Sequence, residues 1–278
     1  MRVIITGGAG FVGTNLIKKL LKKGHEITSI DNYSTGLIEN HLDGCEYLQH
    51  DIRDIFDYDF LNPDVIFHLA ATARIQPSFR DPKKYFTTNA NGTLNIAEYC
   101  ANNNIPLIYA GSSSHHSGKF SNPYTFSKDI GEEIIKLYQD QFNLKCSIAR
   151  FYNVYGPYQL IEGGYTTLIG KWLNNIKNNI KCEIYGDGEK RRDFTHVNDI
   201  VDGLERIMKQ QAYGHVFEFG RGKNYSINDV ATMFRIEATY KPDKPGEAQD
   251  TLADYSLAAE LLGWEPKMNL IDYINKEL

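Results

Sequence analysis

The chain opens with the short apolar run Val3-Ile4-Ile5-Thr6 and passes straight into Gly7-Gly8-Ala9-Gly10-Phe11-Val12-Gly13. Gly7, Gly10 and Gly13 have the spacing of a strand-to-helix turn built around a pyrophosphate. Gly7 permits the tight turn, Gly10 lets the backbone approach the phosphates, and Gly13 lets the helix lie close to the strand. The free N–H groups that open such a helix, those of Phe11, Val12 and Gly13, then face an anion. A plain strand–helix turn could use the same glycines, so the pattern gains its weight from an acid further along the chain. A second strand-like run ends at Asp31, 18 residues after Gly13, with Asn32 beside it. An acid at that distance accepts hydrogen bonds from an adenosine ribose. It also repels a 2′-phosphate, and no Arg or Lys occurs in 32–36 to offset the repulsion. The expected cofactor is NAD.

The same alternation continues along the chain. Strand-like runs at 2–6, 26–31, 45–49, 65–70, 107–111 and 146–152 are separated by helix-like stretches at 12–23, 82–103 and 122–142. The strand-like runs are largely apolar, as parallel strands covered on both faces must be. The fold class expected is α/β, a doubly wound parallel sheet of the Rossmann kind with a smaller C-terminal substrate-binding lobe. The division expected is an NAD-binding part at 1–153, with later contributions near 194–220, and a mainly substrate-binding part at 154–278. Within the second part, helices are expected at 165–179, 197–211 and 255–262, the last stopped by Gly263-Trp264, and a strand at 216–219. The stretch 236–250, rich in Pro, Gly, Lys and Glu, reads as loop.

Bulk properties remove several classes of function. A length of 278 residues with 42% hydrophobic and 23% charged residues suits one large α/β unit or two unequal lobes. A net charge of −5 argues against a general nucleic-acid binder. No stretch approaches the apolar length of a membrane span. The N-terminal apolar run is too short for a signal peptide. Cys45, Cys100, Cys146 and Cys182 form no CxxC pair, so neither a zinc site nor a disulfide framework is suggested. Reduced core thiols in a cytoplasmic protein are expected.

A second motif, Tyr124-Thr125-Phe126-Ser127-Lys128, spaces Tyr and Lys four apart, on one face of a helix. An adjacent ammonium favours the phenolate, which makes Tyr124 a candidate general base. Upstream, Ser112-Ser113-Ser114 follows the apolar run at 107–111. That is the carboxyl end of a strand, where open α/β sheets bind ligands. Either motif alone is more often structural; together, in this order behind a dinucleotide loop, they are hard to attribute to chance.

The set TGGAGFVG, Asp31, HLAA at 68–71, the serine run, YxxxK and ARFYNVYGP at 149–157 resembles the extended short-chain dehydrogenase/reductases. More narrowly it is similar to their NAD-dependent nucleotide-sugar epimerase/dehydratase group, UDP-glucose 4-epimerase-like. Further matches are Asp51-Ile52, Asn89-Ala90-Asn91-Gly92-Thr93, Gly186-Asp187-Gly188, RRDFTHV at 191–197, KPGE at 244–247 and LGWEP at 262–266. The resemblance implies that Asp51 and Ile52 contact adenine, that Ala70 and Ala71 line the cofactor phosphates and nicotinamide ribose, and that Asn89 lies on the cofactor side. It implies Ser113 as the catalytic hydroxyl, Tyr124 as base and Lys128 as its partner. It places Ser114 at the substrate, Asn153 and Arg192 on the sugar-nucleotide diphosphate, and Thr251 where side-chain size limits the sugar substituent. Lys244 stands where relatives commonly carry an arginine, and supplies charge without the bidentate fork.

The implied function is epimerisation of a nucleotide-activated hexose, a UDP-sugar being favoured, at C4 through a 4-keto intermediate. Dehydratases of the group carry Asp-Glu just after the catalytic Thr. Counted from Ser113, those positions are Ser114 and His115, and decarboxylases tend to have a glutamate at the position of His115. Alternatives are another nucleotide-sugar enzyme on this scaffold (a decarboxylase, reductase, dehydratase, or an epimerase of CDP- or GDP-sugars) or a catalytically silent NAD-binding scaffold. His115 and His116 read either as pH-active groups near the substrate or as loop residues facing water. Their spacing suits no metal site, and none is expected. The resemblance also implies a homodimer formed through the helices at 82–103 and 122–142.

Overall fold

A computed structural model of the chain describes residues 1–54 and 61–278. Six strands come in sequence, β1 (Arg2–Thr6), β2 (Glu26–Asp31), β3 (Cys45–Gln49), β4 (Val65–His68), β5 (Leu107–Ser112) and β6 (Cys146–Phe151). Two three-residue strands, β7 (Glu183–Tyr185) and β8 (Arg191–Asp193), interrupt the series before β9 (Val216–Phe219) returns to it. The large sheet has the order β3-β2-β1-β4-β5-β6-β9, parallel throughout. The order reverses at β1, which puts the end of β1 beside the end of β4, the crevice where a dinucleotide binds in doubly wound sheets.

Period-two alternation explains why this sheet is buried on both sides. Val3 and Ile5 of β1, Val65 and Phe67 of β4, Ile108 of β5 and Ala149 of β6 enter one core with helices α1 (Phe11–Leu21) and α7 (Val197–Gln210). Ile4, Ile66, Leu107, Tyr109 and Ile148 point the other way, into a core with α4 (Thr93–Asn102) and α5 (Pro123–Phe142). A third core, with Trp172, Ile184, Phe194, Phe234 and Ile274, lies in the C-terminal part. There β8 pairs antiparallel with β10 (Asn224–Ser226), and β7 pairs parallel with β11 (Thr239–Lys241).

Three expectations are corrected. The stretch 236–250 contains β11, because its backbone finds a partner in β7 more than 50 residues earlier. The helix expected at 82–103 follows a short α2 (Ile75–Arg80) and divides into α3 (Pro82–Phe86), a π-helical turn over Thr87–Gly92, and α4. The expected 165–179 helix is the shorter α6 (Leu168–Lys177), capped by the Thr167 side chain on Gly170 N–H. Among the described residues no helix is long and apolar enough to cross a membrane.

Candidate active site

The cofactor end is built from backbone. Gly7 has φ +72°, and a Cβ there would lie 2.8 Å from the Ala70 backbone. A Cβ at Gly13 would lie 2.3 Å from the Gly7 carbonyl oxygen. At Gly10 a Cβ would meet only that same oxygen, at 3.2 Å, so Gly10 serves open space rather than internal packing. Gly10 caps α1 without a side chain, and no acid occupies the first turn. The N–H groups of Phe11, Val12 and Gly13 therefore open onto a region suited to phosphate.

Asp31 ends β2 and is buried. Its carboxylate accepts from Ala9 N–H at 3.0 Å and Tyr33 N–H at 2.8 Å. Burial pushes its pKa up, and these backbone donors pull it back. Asn32 Nδ2 donates to Asp51 at 2.8 Å, and Arg53 holds Asp51 through two contacts of 2.9 and 2.7 Å, keeping that carboxyl well below the usual range. The Ile52 side chain is core, packed where a Cβ on Gly92 would need to be. Ala70 stands against Gly7 and donates its N–H to Thr6 Oγ1, and the partly buried Ala71 follows. Asn89 is spent inside the protein. Its Oδ1 accepts from Thr72 N–H at 2.8 Å, and its Nδ2 donates to the Thr72 carbonyl at 3.0 Å and to Ser127 Oγ at 2.9 Å. An uncapped helix N-terminus, the space at Gly10 and a buried ribose-side acid fit NAD.

At the far end of β5 the chain leaves the sheet. Ser112 is its last residue, and a 3₁₀ turn runs over Ser113–Ser117. The Tyr124 hydroxyl donates to Ser112 Oγ at 3.1 Å, and Ser114 Oγ donates to the same oxygen at 2.9 Å. The expected partner, Ser113, makes no such bond. The strand extends one residue further than its apolar run, which turns Ser112 toward Tyr124. A second correction concerns Lys128. Its Nζ donates to Tyr109 Oη and to the Ala110 carbonyl, both at 2.7 Å, and lies 4.2 Å from the Tyr109 ring centre. Helical spacing puts Tyr124 and Lys128 on one face, but the lysine reaches down to the sheet beneath. Burial pulls its pKa to about 7, against the opposing charge of Glu132. The Tyr124 pKa is accordingly raised by burial, not lowered by an adjacent ammonium; the Ser112 hydrogen bond and the charge of Arg74 pull it back.

The two histidines face carboxylates under the loop. His115 Nδ1 lies 2.8 Å from Asp129, and His116 pairs with Glu218, which also accepts from Tyr152 Oη at 2.7 Å. Beside them Arg150 of β6 and Glu132 of α5 form a buried ion pair at 2.7 Å. His68, the first residue of HLAA, bridges Thr6 and Thr93 with its two ring nitrogens, and burial holds its pKa down to about 3. It ties β1 and β4 to α4 as a neutral ring.

The later residues gather through Asp193, a buried acid that the sequence reading missed. It accepts from the N–H groups of Arg221 at 2.7 Å, Gly222 at 2.9 Å and Ala253 at 3.1 Å. Asn153 Nδ2 donates to the Asp193 carbonyl and to Thr251 Oγ1, each at 3.1 Å, which seats Thr251 directly against Asn153. Arg192 Nη2 lies 3.6 Å from Glu247, and Lys244 lies 3.4 Å from the centre of the Tyr185 ring. Arg74, which no motif marked, donates Nε to the Tyr165 carbonyl at 3.0 Å.

A parallel sheet with a dinucleotide loop at its switch point and a serine–tyrosine pair at the next strand ends is the arrangement of a nucleotide-dependent redox enzyme. Residues 3–220 match the model of the NAD dependent epimerase/dehydratase family, and the chain belongs to that family, with NAD as its cofactor. It is 30% identical to a putative UDP-glucose 4-epimerase of Methanocaldococcus jannaschii, over 99% of this chain and 96% of that one. It is 28% identical to UDP-glucuronic acid decarboxylase 1 of Xenopus tropicalis, over 100% of this chain and 71% of the other. Its fold matches the UDP-glucose 4-epimerase of Thermotoga maritima, solved with UDP-glucose, with a TM-score of 0.92 at 28% identity, covering 99% of each chain. The protein is thus one of the enzymes that modify nucleotide-linked sugars.

Proposed function

We propose that the protein inverts the configuration at C4 of a UDP-hexose. The observation that carries this reading is the hydrogen bond from Tyr124 to Ser112 at the end of β5, beside the dinucleotide loop. NAD, when bound, supplies reversible acceptance of a hydride at one sugar carbon. Tyr124 takes the proton of the C4 hydroxyl and later returns it, and Ser112 holds the C4 oxygen while it is a ketone. Lys128 lies one layer below and keeps the Tyr109 hydroxyl and the edge of β5 in place. Arg192 and Lys244 meet the diphosphate, with Asn153 beside them, and Thr251 bounds the sugar substituent. In this reading 1–153 with 194–220 holds the cofactor, 154–278 mainly the sugar nucleotide, and two copies pair through α4 and α5, where Leu94 and Leu137 are 39% and 52% exposed.

Epimerisation is preferred because dehydration needs an acid and a base after the catalytic hydroxyl, and decarboxylases of the group tend to carry a glutamate there. Counted from Ser112 instead of Ser113, the positions are Ser113 and Ser114, again without a carboxylate. The test is to incubate the protein with UDP-glucose, UDP-N-acetylglucosamine and UDP-glucuronate and to look for the galacto products. Tyr124→Phe is expected to cut turnover about 10³-fold. Carbon dioxide from UDP-glucuronate, or full activity of the phenylalanine variant, would remove the reading.

A further inference from the structure

Arg74 lies in a cluster of aromatic side chains that includes the candidate base. The Tyr85 ring meets the Tyr124 ring edge-on at 6.2 Å, and Tyr85 Oη lies 3.5 Å from Tyr165 Oη. Arg74 reaches the same cluster through its bond to the Tyr165 carbonyl. It is partly buried, yet among the described residues it makes no ion pair. Glu247, the acid whose charge reaches it, is held by Arg192 at 3.6 Å and by Gln76 at 3.1 Å. Among the described residues only Nε of the guanidinium is used, so the two Nη groups form an unspent fork. A shielded cation without an anion is costly, and the fork matches a carboxylate. The diphosphate already has Arg192 and Lys244. A further anion near Tyr124 therefore belongs to the sugar.

We propose that Arg74 binds a carboxylate on the sugar itself, so that the preferred substrate is a nucleotide-linked hexuronate and not a neutral hexose. This rests on the nucleotide-sugar reading of the site. It makes Arg74 a specificity-determining residue. A neutral hydroxymethyl or N-acetyl sugar would leave its charge unpaired.

The experiment compares kcat/KM of the NAD-loaded protein for UDP-glucuronate, UDP-glucose and UDP-N-acetylglucosamine, with Kd measured by calorimetry for the same three. Wild type is expected to favour UDP-glucuronate about 100-fold, the scale of an arginine–carboxylate pair. Arg74→Gln should lose that preference, any effect through the charge withdrawn from Tyr124 falling on all three sugars alike, and Arg74→Lys should retain part of it, as charge without the fork. Equal use of neutral and acidic sugars by wild type overturns the proposal. So does an equal loss on all three in Arg74→Gln with their ratio unchanged, which would make Arg74 a support of Tyr124 or of the diphosphate. If none of the three turns over, the epimerase reading fails, and Kd still decides: a glucuronate preference that weakens in Arg74→Lys and vanishes in Arg74→Gln upholds the role, and its absence in wild type ends it.

Discussion

The two ends of the site are made differently. At the proposed cofactor end the groups offered to a ligand are backbone N–H donors at α1, supplied within seven residues of Gly7, with one buried acid from the next strand. Little charge is desolvated there, and Asp31 is satisfied by two N–H groups before any ligand arrives. At the proposed sugar end the groups are side chains brought together from distant segments: Arg74 touches residue 165, Asn153 touches residue 251, and Gln76 touches residue 247. Lys128 is buried and Arg74 partly buried there, each against the pull of desolvation. A dinucleotide can be met by a local turn because every NAD presents the same phosphates. A sugar must be told from its relatives, which takes directional side chains with positions set by the whole fold.

The sharpest probe of the sugar end is the serine run. Ser112→Ala should lower kcat about 100-fold, because it removes the hydroxyl that accepts from Tyr124. Ser113→Ala should change it less than about threefold, the two variants differing only by one place in a row of identical residues. A reversal of that order, in steady-state kinetics with a UDP-hexose, would show that the loop rearranges when substrate binds.

The cofactor end is probed by two glycines. Gly10→Ala asks a shift of a few tenths of an ångström, its methyl meeting one oxygen at 3.2 Å, but fills the approach to the phosphates. NAD affinity, by fluorescence titration, should fall about tenfold with little change in Tm. Gly13→Ala puts a methyl 2.3 Å from the Gly7 carbonyl, so the strand–helix turn itself must move. It should cost about 1–3 kcal/mol in urea unfolding. Equal stability of the two variants would mean that both glycines serve only the ligand.

The same contrast governs what could be read from sequence. The large sheet was legible to within about two residues per strand, because two-sided burial writes a continuous apolar run. The dinucleotide loop was legible because its glycines, strand and helix are contiguous. The three-residue strands β8 and β10 carry no local signal, since each exists only through a partner some 30 residues away. The choice between Ser112 and Ser113 needed the end of β5, and the partner of Lys128 needed the sheet under α5. Arg74 belongs to no motif. Its meaning comes from its two Nη groups, which no acid among the described residues pairs.

The charge buried at the proposed sugar end sets a pH dependence of stability. Lys128 titrates near 7 in the folded ligand-free protein, against 10.5 for an ordinary lysine. Between those values the unfolded chain holds a proton that the folded chain has released. Stability therefore rises with pH across this window, with a slope of up to about 1.4 kcal/mol per pH unit, and falls as pH drops through it toward 7. Lys128→Met, apolar and of similar length, should lose that rise and should exceed wild type in stability below pH 7, while its activity drops. Urea midpoints of the ligand-free proteins from pH 6 to 9 measure the difference between the two curves. Parallel curves would mean that Lys128 keeps its ordinary basicity beneath Tyr124. Its ammonium would then bear on the phenol after all, and burial would cost the sugar end no more than it costs the cofactor end.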